Sequence, residues 1–189
     1  CSNEVNLCLN GCSITAEHDS CTIMVKDGAN LTLTDCKGDS GTITHGSDNT
    51  GYGVMVNSGG RFTMYGGTIC GNTAAGSGSG VIVNGGSRFT MYGGAITGNN
   101  TTGDISCGGV YVASNGTFTV SGAAKIQNNW ICGVKTSEGV YEQGTGKKSN
   151  VYLPNNKKIT IGELGLQTGA SIGVTYGGTV NADTDATIA

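Results

Sequence analysis

Two stretches of this chain both read "RFTMY", at 61–65 and at 88–92, and so repeat an arginine, a threonine and a tyrosine in the same order. If both are strands, alternation sends Arg61, Thr63 and Tyr65 to one face and Phe62 and Met64 to the other, and treats Arg88, Thr90 and Tyr92 likewise. A guanidinium grips a carboxylate or sulfate through paired N–H donors, and a phenol ring offers an apolar face with a polar tip for stacking. These six residues are therefore the candidate ligand-binding face. The competing explanation is that Arg, Thr and Tyr are ordinary solvent-facing strand residues, copied by tandem duplication and stacked only to join neighbouring strands.

Other chemistries find less support. The thirteen acidic residues fall mostly singly in loop-like sequence, as at Glu17, Asp19, Asp27, Asp35, Asp39, Asp48 and Asp104, with no Asp-Asp pair. Neither a calcium cage nor an acid/base pair is assembled by such spacing. The "GDS" at 38–40 lacks the flanks of a serine-hydrolase elbow. The eight cysteines, at 1, 8, 12, 21, 36, 70, 107 and 132, include no C-x-x-C, and His18 and His45 lie in loop-like sequence. No metal site, no cofactor and no catalytic residue is expected. So many cysteines point instead to an oxidising, extracellular setting. A formal net charge of -3 with scattered Lys and Arg argues against nucleic acid as a partner, and no apolar run approaches the length of a membrane helix.

What must position the six residues is a repeat. With 35 Gly and a single Pro the chain cannot be helical in the ordinary way. Aligning apolar triplets gives one strand at 22–26, 53–57, 80–84 and 109–113, and a second at 30–34, 61–65, 88–92, 117–121 and 158–162. A third, shorter strand falls at 41–44, 67–70, 94–97 and 124–127, and "NLCLNGCSIT" at 6–15 adds a coil at the start. Parallel strands about eight residues apart leave no room for crossover helices. The expected fold is all-β: a right-handed parallel β-helix with three short strands per coil and roughly five to six coils.

Inside it, Leu31, Phe62, Phe89, Phe118 and Ile159 form one ladder, and Leu33, Met64, Met91, Val120 and Ile161 another. Outside, Thr32, Thr63, Thr90, Thr119 and Thr160 stack. A single regular Thr column, with Tyr on one side and Arg on the other, does not make the flat hydroxyl array of an ice-binding surface. Asn72, Asn99 and Asn128 recur after the third strand and are expected to bond coil to coil. Residues 1–162 are read as coils, and 163–189 as an irregular β-like cap or the start of a following segment.

By register, Cys12 with Cys36 and Cys107 with Cys132 are candidate disulfides, with Cys1 and Cys21 as a third pair. Cys70, opposite Thr44 and Thr97, is expected to be unpaired. Cys1 is alternatively a lipid anchor.

The phrases "GGVYV", "GTFTVSG" and "GGAITGNN", with "VNLCLNG", "LTLTDC" and "NVYLPNNKKITIG", resemble repeats of large bacterial surface proteins, especially of Gram-positive gut organisms. The resemblance covers most of residues 5–176 and implies the pectate-lyase-like right-handed β-helix, a secreted or cell-surface location and an adhesion-type role. Cys8 and Cys36 both stand in the typical phrases, which makes Cys8–Cys36 a rival to Cys12–Cys36. "GGAI" is similar to the polymorphic outer-membrane adhesins of chlamydiae, but without their F-x-x-N it implies the fold alone. "THG" at 44–46 approaches the G-H-G of polygalacturonases without the acidic dyad. The expected role is a structural or adhesive module whose partner is a host or environmental glycan or a protein receptor, with carbohydrate binding or processing as the alternative.

Overall fold

Short runs of β-branched and aromatic residues bounded by Gly and Asn form strands, and each strand lies beside its counterpart from the next coil. The structure, a computed structural model, describes residues 3–46, 48–103, 107–144, 146–155 and 157–176, and among them there is no helix. Three parallel sheets, each six strands deep, are visited in turn. The first contains Ile23–Val25, Val54–Val56, Val81–Val83, Val110–Val112, Val151–Leu153 and Val174–Tyr176. The second contains Glu4–Cys8, Asn30–Thr34, Arg61–Met64, Arg88–Met91, Thr117–Gly122 and Thr160–Leu166. The third contains Ser13–Ala16, Thr42–His45, Thr68–Ile69, Ala95–Ile96, Lys125–Ile126 and Ser171–Ile172. The result is a parallel β-solenoid in which the four turns opening at Asn30, Arg61, Arg88 and Thr117 are flanked on both sides.

A short fourth sheet joins Thr73–Ala74, Asn100–Thr101 and Trp130–Ile131, with Lys147–Lys148 added antiparallel. Its strands are too short to carry an alternation, so the three-strand reading of the sequence passes over them. Thr160–Leu166 runs across residue 162, and Ser171–Ile172 and Val174–Tyr176 pair with Lys125–Ile126 and Val151–Leu153.

The core is made of ladders. Phe62, Phe89 and Phe118 are fully buried and stack with ring centroids 4.9 and 5.1 Å apart. Each buried ring contributes roughly 1.5–3 kcal/mol by burial, and each stack about 0.5–1.5 kcal/mol more. Leu33, Met64, Met91 and Val120 lie beside them, and Ile43, Ile69, Ile96 and Ile126 close the third wall. Ile161 pairs with Val120 as expected but is 39% exposed, because no described strand of its sheet lies beyond it.

A polar ladder runs through this interior. Asn72 Nδ2 donates to the Ile43 and Cys70 carbonyls and to Asn99 Oδ1, and Asn99 repeats the pattern on Ile69, Thr97 and Asn129. Asn129 in turn bonds Ile96, Gln127 and Asn150. Each Oδ1 also accepts the backbone N–H of the preceding asparagine, so buried amide and corner carbonyl satisfy one another. The expected third member, Asn128, is not in the ladder. It takes the left-handed turn at φ 53°, which points Asn129 inward in its place.

His45 also departs from expectation. It ends a strand, is buried, and tops the ladder with Nδ1 2.8 Å from Asn72 Oδ1 and Nε2 2.6 Å from the Ser20 carbonyl.

Candidate functional site

The second sheet presents its alternate residues to solvent, and there the register brings the six candidate residues together. Arg61 pairs with Arg88 and Thr63 with Thr90, while Tyr65 and Tyr92 follow directly after their strands. The tyrosine rings are stacked, centroids 4.8 Å apart and 13° from parallel, with Tyr65 54% exposed. Arg61 and Arg88 are exposed and are the only arginines in the chain. Thr32 and Thr119 continue the threonine column on either side of the pair.

Beyond Arg61 the column continues with Asn30 and then Glu4. These line, with Asn6, Thr32, Arg61 and Thr63, a shallow groove of about 290 Å³. Two like charges one strand spacing apart, beside a stacked ring pair, can take two anionic groups of an extended ligand and one flat apolar patch. A second outward stack, Tyr111 on Tyr152 at 5.7 Å, has no arginine beside it. Ring stacking by itself is thus part of how coils join.

The cysteines do not pair as the register reading proposed. Cys36 is bonded to Cys8, with Cα atoms 6.6 Å apart, and Cys12 is a free, exposed thiol. Ser13 pairs with Thr42, so the same register sets Cys12 beside Gly41 and away from Cys36. The Cys12 carbonyl accordingly accepts the amide of Thr42.

Cys107 and Cys132 are likewise both free, one buried and one exposed. The Cys107 carbonyl accepts the amides of Gly78 and Ser79, whereas the Cys132 amide donates to the Thr101 carbonyl, so the two are tied to different parts of their neighbouring coils. Burial pushes the Cys107 thiol up to about 12 and raises that of Cys70, which is free as expected. Cys21 is a buried free thiol, and Cys1 lies outside the described residues.

Asp35 serves the loops. The amide of Gly41 above all, then those of Gly11 and Lys37 with the Lys37 charge, holds its carboxyl below the usual range, against partial desolvation. Among the described residues no group of three or more His, Cys, Asp or Glu is placed to hold a metal ion. No described helix is long and apolar enough to cross a membrane. No protein-family model, curated protein or solved structure matches the chain.

Two features left little mark in the sequence. One is the full polar ladder from His45 to Asn150, whose signal was the recurrence of an asparagine shortly after each third-sheet strand. The other is the segment between Trp130–Ile131 and Lys147–Lys148, signalled only by a widened interval between core positions.

Proposed function

We propose that this chain is a structural, adhesion-type module of a secreted or cell-surface bacterial protein, without catalysis of its own, that meets its ligand with the Arg61–Tyr92 face. The observation that carries this reading is the placement of both arginines of the chain on neighbouring strands, beside the Tyr65–Tyr92 stack. Its ligand is an extended anionic chain, a glycan bearing uronate or sulfate, gripped by Arg61 and Arg88 with one unit lying on the tyrosines. The rigid stack behind the face supports this role, since a parallel solenoid holds the pairs in fixed register without ligand. The Cys8–Cys36 bond and the resemblance to bacterial surface repeats support the extracellular setting.

An array of acidic and neutral glycans tests the reading. Acidic glycans are expected to bind, more weakly as salt rises. The Arg61→Ala/Arg88→Ala double variant should lose at least about 100-fold, since two charge-assisted contacts of about 1.5–3 kcal/mol each are removed. Binding that is absent, or unchanged in the double variant, would overturn the assignment. New reducing or unsaturated ends released from acidic polysaccharide would overturn the non-catalytic reading.

A further inference from the structure

The turn that leads from Thr119 to its partner Thr160 is much longer than those that lead from Phe62 to Phe89 and from Phe89 to Phe118. The excess leaves the wall after Trp130–Ile131, forms an antiparallel hairpin of Val134–Lys135 with Tyr141–Glu142, and returns as Lys147–Lys148. This hairpin is pinned back on the solenoid. The Tyr141 amide donates to the Gly98 carbonyl at 3.0 Å, and the Trp130 indole N–H donates to the Tyr141 carbonyl at 2.8 Å. Between hairpin and wall lies a cleft of about 460 Å³, the size of a small-molecule site.

Val140, Tyr141 and the largely buried Trp130 supply the apolar lining of the cleft, and Thr97, Asn128, Glu142 and Gln143 the polar lining. We propose that this cleft is a second binding site, independent of the arginine face, that takes one neutral saccharide unit.

The lining selects that chemistry. Two side-chain amides each supply donor and acceptor, and a carboxylate supplies acceptors only, a set that matches hydroxyls able to donate and accept. An anionic ligand would meet the Glu142 carboxylate. A cationic one would be repelled by two ammonium groups of this chain, since Lys135 Nζ lies 5.8 Å from the Tyr141 ring centre and Lys148 Nζ 5.8 Å from that of Trp130. A neutral ring with one apolar face and a rim of hydroxyls meets neither objection. It also gives a role to the hairpin of the one long coil, which brings Tyr141 and Gln143 up to Asn128 and Trp130 of the wall.

Trp130 is the only tryptophan in the chain, so its emission reports on the cleft directly. The test is a titration of the whole chain with the methyl glycosides of glucose, galactose, mannose and N-acetylglucosamine, followed by Trp130 fluorescence and by saturation-transfer NMR on the glycoside. At least one glycoside is expected to bind saturably. Glu142→Gln and Gln143→Ala should each weaken it about tenfold or more at unchanged melting temperature. Arg61→Ala/Arg88→Ala should leave it unchanged, which separates this site from the arginine face. No saturable binding of any glycoside by either readout, affinity unaltered in both cleft variants, or tighter binding of tetramethylammonium or sulfate in the cleft would each overturn the proposal.

Discussion

At the scale of single residues, the interior depends on asparagines as much as on phenylalanines. Asn99 donates to the Ile69 and Thr97 carbonyls and to Asn129, and accepts from both the amide and the side chain of Asn72. Truncating it would strand several buried polar groups in a site too tight to admit their loss. Asn99→Ala is expected to destabilise the fold by about 2–4 kcal/mol, read from urea denaturation. Asn99→Asp should be at least as damaging, since a carboxylate cannot donate to the two carbonyls. The outward residues behave differently. Arg61, Thr63 and Tyr65 face solvent beside the inward Phe62 and Met64, so replacing them should cost binding with little cost in stability.

Among elements, each inward asparagine has a glycine across from it. A Cβ on Gly53 would stand 2.8 Å from Asn72 Nδ2, one on Gly80 3.1 Å from Asn99 Nδ2, and one on Gly109 3.0 Å from Asn129 Nδ2. The "GV" that opens these first-sheet strands is therefore a packing requirement of the polar ladder beside it. Gly80→Ala would also press on Ile96 Cγ2 and the Gly109 carbonyl, each 2.8 Å away, and is expected to cost about 1–3 kcal/mol. Gly85→Ala, whose added carbon meets only Asn115 Cβ at 3.5 Å, should stay within about 0.5 kcal/mol of the parent. Comparing the two melting curves checks the pairing of glycine row with asparagine row. The strands themselves were legible in sequence because alternation and size matching recur at every rung. The glycine-to-asparagine contact was not, because it joins residues from different walls of the solenoid.

For the whole molecule, stability should vary along the stack axis, since each turn touches only its neighbours. Hydrogen exchange is expected to be slowest at Leu33, Met64 and Met91, flanked on both sides, and faster at Glu4–Cys8 and Thr160–Leu166, where Val5 and Leu164 are 58% and 65% exposed. The Cys8–Cys36 bond spans a separation of 28 between the first two turns, a constraint of about 3–4 kcal/mol on the unfolded chain. Reduction should therefore speed exchange in Glu4–Cys8 before it affects the central turns. Uniform exchange along the axis, or no response to reduction, would contradict this picture.

The sequence by itself determined the solenoid, its three principal walls, the inward and outward assignment of the strand residues and the pairing of the two arginines. Those follow from the alternation of each strand and the recurrence of matching strands from coil to coil, both written locally in the chain. Only the tertiary structure decided which cysteines meet, that His45 and Asn129 belong to the interior, and that the hairpin after Ile131 folds back to make a cleft. These depend on loop lengths that change from coil to coil. A few residues of offset at a corner move every side chain beyond it to a different neighbour, and no local pattern records that sum.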